Sequence, residues 1–89
     1  MAYKVQFAPL ARRHLRKVKD KATRDNILQK IVGLASDPRP NNVEKLTDVD
    51  GHRIRAGDFR IVFDIDDKDR TVSILRIVAR GAVYGKKYR

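Results

Sequence analysis

Two periodicities divide the chain. Residues 2 to 7, AYKVQF, alternate Tyr3, Val5 and Phe7 with Ala2, Lys4 and Gln6, the period of two expected of a half-buried strand. The period then lengthens. Pro9 suits a first helical turn, and Leu10, His14 or Leu15, and Val18 recur at helical spacing among six basic residues, Arg12, Arg13, Arg16, Lys17, Lys19 and Lys21. A second helix is expected from about Thr23, with Asp25 in its first turn and one apolar stripe of Ile27, Leu28, Ile31, Val32 and Ala35. The segment SDPRPNN, residues 36 to 42, stops it, because Pro38 and Pro40 disfavour helix at the residues before them.

From Gly51 the period returns to two. Ile54 and Ala56 alternate with Arg53 and Arg55, Gly57 and Asp58 read as a turn, and Phe59, Ile61, Phe63 and Ile65 alternate with Arg60, Val62 and Asp64. A second turn, DDKDR at residues 66 to 70, leads to a last strand over residues 71 to 79. The fold class is therefore α+β. An N-terminal strand and a two-helix hairpin precede an antiparallel three-stranded meander, which forms one sheet with the first strand. The 89 residues are expected to make a single domain.

Strand phase says where the arginines go, since residues of one parity share a face. With Phe59, Ile61, Phe63 and Ile65 packed on the helices, Arg60 points the other way. Ile54 and Ala56 likewise turn Arg53 and Arg55 outward. On the last strand, Leu75, Ile77 and Ala79 are placed inward, which sends Arg76 and Arg80 outward with Ile74 and Val78. Five arginines from three adjacent strands then share one sheet face. Each alone reads as an ordinary solvated side chain, but a solvated face normally mixes signs to avoid self-repulsion.

Charge gives that face a class of partner. Lys and Arg number 21 against 11 Asp and Glu, a formal net charge of +10, which points to a polyanion. No apolar run approaches the ~18 residues of a membrane span, so a membrane is not an expected partner. MAYKVQF does not read as a signal peptide, and a cytoplasmic location is expected. The chain has no cysteine, which removes thiolate chemistry and Cys-ligated zinc. Phosphate-binding glycine loops, HExxH and GxSxG are all missing. DIDDKD, residues 64 to 69, lacks the sixth-position glycine and closing glutamate of a calcium loop and reads as an acidic turn. No metal or other cofactor is expected.

Two further basic regions bear on binding. Arg12, Arg13, Arg16 and Lys17 make the first helix a candidate grip on a polyanion, with a plain solvated helix face as the duller reading. The C-terminal RGAVYGKKYR sets Tyr84 and Tyr88 among Arg80, Lys86, Lys87 and Arg89, where an aromatic ring can stack on a base or move a proton; a tail covering the edge of the core is an equal alternative. His14 is read as packing or solvated, and His52, of opposite parity to Arg53, as pointing to the core side or the strand edge.

Taken together, HRIRAGDFRIVFDID, ILRIVAR and the terminal VY resemble the RelE/ParE superfamily of bacterial and archaeal toxins from type II toxin-antitoxin pairs, in its RelE-like branch, over nearly the whole chain. The resemblance implies a ribosome-dependent endoribonuclease that enters the A site and cuts messenger RNA, neutralised by a cognate RelB-like antitoxin. It also admits operator DNA as a ligand of the toxin-antitoxin pair. Carried over by position, Arg53 and Arg55 match the basic residues of the family's first meander strand, where some members have lysine. Arg60 matches the arginine of a GDYR-like motif, Arg80 the arginine before the terminal motif, and Tyr84 the tyrosine of VY. These five form the implied catalytic set, with Arg12, Arg13, Arg16, Lys17, Arg76, Lys86 and Lys87 contacting RNA or ribosome.

The chemistry constrains the roles. Metal-independent RNA cleavage runs through attack of the 2′-hydroxyl on the adjacent phosphorus and needs a base, charge stabilisation on the phosphorane and an acid for the leaving oxygen. Arginine supplies the middle term but not the base, its pKa lying above about 12. Among the residues expected near the face, Tyr84 is the one plausible proton acceptor. Two alternatives stay open: a ParE-like gyrase inhibitor without nuclease chemistry, and a non-catalytic RNA- or partner-binding module.

Overall fold

A computed structural model describes residues 2–39, 44–45 and 51–79. The elements run β1 (Lys4–Phe7), α1 (Pro9–Lys17), α2 (Lys21–Ser36), β2 (Glu44–Lys45), β3 (His52–Ala56), β4 (Phe59–Asp66) and β5 (Thr71–Ala79). The strands form one sheet in the order β1-β5-β4-β3-β2. β1 lies parallel to β5 at one edge, while β2, β3, β4 and β5 pair antiparallel in succession. The α+β architecture expected from the sequence is thus present, with one strand more than the pattern announced. β2 is only two residues long, too short for any periodicity to reveal.

Local chemistry sets the boundaries. Pro9 opens α1, where its missing N–H costs nothing, and the backbone turns extended at Val18. α2 begins two residues earlier than expected, because Asp20 is its N-cap and accepts from the Thr23 N–H at 3.1 Å. Asp25 therefore falls beyond the first turn. The hairpin between β3 and β4 turns on Gly57, whose φ of 62° lies in the left-handed region that glycine enters without penalty. In the following hairpin Asp66 Oδ1 accepts from the Lys68 and Asp69 N–H groups, both at 3.0 Å, an Asx-type turn.

Both helices lie against the sheet, α1 over β5 and β1, α2 over β1 and β3. Their buried side chains, Ala11, Ile27, Ile31 and Leu34, with Val18 just past α1, meet Ile54, Ala56, Ile61, Phe63, Val72, Ile74 and Ile77 of the sheet. The helical stripes differ in detail from the expected ones. On α2, Leu34 is buried whereas Val32 is 68% exposed; on α1, Ala11 is buried and Leu10 is exposed. No helix among the described residues is long and apolar enough to cross a membrane.

One strand departs from its expected phase. Ile74 is fully buried opposite Phe63, not outward as the alternation of the last strand suggested. The cause is a bulge: Val62 pairs with Arg76 and Phe63 with Ile74, which leaves Leu75 as the extra residue. Val72 and Ile74 face the helices before the bulge, and Ile77 faces them after it. Leu75 is only half-buried.

Candidate nucleic-acid interface

The bulge brings the arginines of three strands onto one face. β3 turns Ile54 and Ala56 to the core and so sends Arg53 and Arg55 away from the helices. Because Arg53 pairs with Val62 and Arg55 with Arg60, β4 presents Val62 and Arg60 on that same side. Val62 then pairs with Arg76 and Arg60 with Val78 on β5. The result is two rows across the sheet, Arg53–Val62–Arg76 and Arg55–Arg60–Val78. Strands about 4.8 Å apart and two-residue steps of about 6.6 Å confine the four arginine Cα positions to a patch roughly 10 Å by 7 Å.

Val62 and Val78 make an apolar floor between the guanidinium stems. Val78 is 5% exposed although it lies on the face turned from the helices, and Arg53, Arg60 and Arg76 are half-buried; Arg55 alone is exposed. Such a setting suits anion binding. Long arginine stems cover apolar surface while their planar heads, permanently charged, grip phosphate oxygens in pairs. Arg55 opposite Arg60 is a like-charge cross-strand pair, an arrangement that opposes folding. A face shaped only for stability would place a carboxylate or hydroxyl at one of these positions.

The expected outward placement of Arg53, Arg55, Arg60 and Arg76 is seen. Arg80, Tyr84, Lys86 and Lys87, with Tyr88 and Arg89, lie outside the described residues. Arg12, Arg13, Arg16 and Lys17 are exposed on α1. His52 stacks its ring on Phe63 with centroids 5.7 Å apart, which turns it from the arginine face as its parity implied. Tyr3, the one tyrosine among the described residues, stands at the far edge of the sheet. Its hydroxyl donates to Asp67 Oδ1 at 2.7 Å, and this bond, with burial, holds the phenol above its usual pKa. It is not positioned as a base for this face.

Two contacts escaped sequence reasoning. Asp67 receives both terminal nitrogens of Arg39, at 3.1 and 3.0 Å, and joins the segment after α2 to the β4–β5 turn and to β1. His14 Nδ1 accepts from the Ile77 N–H at 3.1 Å. The partners in each contact lie more than twenty residues apart, so no local pattern signals them.

Residues 5–84 match the family described as the ParE toxin of type II toxin-antitoxin systems, parDE. Among solved structures, the chain is 28% identical to the toxin-antitoxin structure described as an archaeal RelE-RelB complex from Pyrococcus horikoshii, covering 92% of this chain and 99% of that one with a TM-score of 0.80. It is 29% identical to a chain of a RelBE toxin-antitoxin complex from Mycobacterium tuberculosis, over 90% of this chain and 93% of that one, with a TM-score of 0.79. The isolated RelE toxin of E. coli shares the fold at 21% identity and a TM-score of 0.76, over 89% of this chain and 85% of that one. No curated protein matches the chain in sequence. The match over 5–84 and the RelE-type likeness agree with the fold: the chain belongs to the ParE toxin family within the RelE/ParE superfamily, and is a toxin of a toxin-antitoxin system.

Proposed function

We propose that this toxin is a ribosome-dependent mRNA endoribonuclease, neutralised by a RelB-like antitoxin. The observation that carries the reading is the pair of cross-strand rows, Arg53–Val62–Arg76 and Arg55–Arg60–Val78, on the sheet face turned from the helices. In this reading Arg60, with Arg53 and Arg55, holds the scissile phosphate and stabilises the charge that builds on it as the 2′-hydroxyl attacks. Preorganised donors aimed at developing charge are worth about 10²–10³ in rate each. Arg80 completes the cationic set and Tyr84 takes the 2′-hydroxyl proton; as the O2′–P bond forms the P–O5′ bond breaks, and the 5′-oxygen leaves with a proton from water, giving a 2′,3′-cyclic phosphate and a 5′-hydroxyl. No metal is needed for this chemistry. Arg76 contacts the RNA backbone beside them, Lys86 and Lys87 extend that contact, and the exposed α1 row of Arg12, Arg13, Arg16 and Lys17 meets ribosomal RNA.

The likeness to toxins solved in RelE-RelB and RelBE complexes supports an antitoxin partner of that type. A second reading is favoured by the family match, whose description is that of a ParE toxin: inhibition of DNA gyrase with no cleavage of RNA. Mapping mRNA 5′ ends in a translating extract, alongside a gyrase supercoiling assay, separates the two. The nuclease reading requires new mRNA ends within ribosome-covered codons and undisturbed supercoiling; intact mRNA with blocked gyrase would overturn it.

A further inference from the structure

We infer that His14 is a proton-sensitive latch: as a neutral imidazole it holds α1 to the open edge of β5 through the Ile77 N–H, and on protonation it releases that edge together with the placement of Arg76. The geometry begins with a strand that ends early. β1 pairs with β5 only from Thr71 to Ile74, so past Ile74 that edge of β5 has no neighbouring strand among the described residues. The chain itself fills the gap. The Ala8 N–H donates to the Ile74 carbonyl at 2.8 Å, α1 starts at once, and in its second turn His14 Nδ1 accepts from Ile77 at 3.1 Å.

His14 is well placed for this. It lies three residues from the buried Ala11 on α1, the helix that packs on β5, so it shares the helix face that meets that strand. An Nδ1 that accepts must be unprotonated, which puts the ring hydrogen on Nε2. Protonation of Nδ1 replaces the acceptor with a second donor aimed at a donor. It also adds a positive charge among three already present: Lys17 and Arg13 from the same helix, and Arg76 from β5. β1, the other element against α1, carries only Lys4 as an ionisable group, at its end remote from Ile77. Burial first, and then those three cations, hold the imidazole below its ordinary pKa.

The latch sits where it matters for the face. Ile77 follows Arg76 directly and Leu75, the bulged residue, precedes it, so the Ile77 N–H anchors the strand just after the step that turns Arg76 outward. His14 is thus a positioning residue, acting on the arginine rows through β5. The latch itself stands on contacts alone; its consequence for RNA cleavage rests on the nuclease reading above.

NMR of the isotope-labelled toxin tests it. The His14 ring should show the Nε2–H tautomer at neutral pH and a titration midpoint below that of an ordinary histidine. The protection of the Ile77 amide against exchange, corrected for intrinsic pH dependence, should fall roughly tenfold as His14 gains its proton, the effect of losing one hydrogen bond. His14→Leu should lack that protection at every pH, and His14→Asn, a non-titrating acceptor, should remove the pH dependence. Ile77 protection unchanged through the titration, or equal in wild type and His14→Leu, would overturn the latch whatever the toxin cleaves. A latch that behaves as described in a protein that never cuts mRNA would overturn the nuclease reading instead.

Discussion

Arg55 and Arg60 stand directly opposite one another on β3 and β4, two like charges in one cross-strand pair. Such a pair opposes folding, so neutralising the exposed member should stabilise the protein even as it weakens function. Arg55→Gln is expected to raise the urea midpoint, by about 0.3 kcal/mol in stability, while slowing mRNA cleavage by roughly tenfold or more. A variant that is both less stable and fully active would remove the argument that this pair is kept for ligand binding.

The bulge at Leu75 makes two adjacent side chains unequal. Ile74→Ala opens a cavity against Phe63 and should cost about 2–5 kcal/mol. Leu75→Ala removes a half-buried side chain and should cost under about 1.5 kcal/mol. Denaturant unfolding of both variants checks the phase; a larger loss at Leu75 would place the register shift elsewhere.

Strand phase was legible where one face alone is apolar. β3 alternates strictly and β4 does so but for Val62, and their arginines are assigned from parity. TVSILRIVA of β5 is apolar at both parities, so nothing in it marks the point where Leu75 is skipped, and Ile74 was placed on the wrong face. The surplus of apolar residues on α2 had the same effect, drawing the exposed Val32 into the stripe in place of Leu34. Asp20 gives no clear cap signal in the sequence because Lys19 and Lys21 flank it and continue the basic run. The shared face of Arg53, Arg55 and Arg60 is readable because β3 and β4 largely keep a period of two; their pairing into rows is set by the strand register.

Asp67 ties three parts of the chain together and should carry part of the acid sensitivity. Hydrogen bonds from Arg39 first, and then from Tyr3, hold its carboxyl below the ordinary carboxylate range. A depressed folded-state pKa means the unfolded chain binds the proton more readily. The stabilisation is therefore complete above the unfolded value of about 4 and is lost as pH falls through the folded one. Asp67→Asn should be less stable at neutral pH and show a flatter decline below about pH 4 in thermal melts. Parallel wild-type and Asp67→Asn curves across that window would contradict this.

The exposed cations of α1 are predicted to serve binding and not folding. Reversing Arg12, Arg13 and Arg16 to glutamate should leave the melting temperature within a few degrees, as surface substitutions usually do, and weaken ribosome association with a shallower salt dependence. Unchanged co-sedimentation with ribosomes would mark α1 as an ordinary solvated surface.

The central claim is that the arginine rows perform the chemistry, and single-turnover cleavage of mRNA on programmed ribosomes by wild type and Arg60→Ala measures it most directly. With the fold shown intact by an unchanged amide spectrum away from β4, the account predicts a rate lowered by about 10²–10³-fold. Cleavage by Arg60→Ala at the wild-type rate would contradict it.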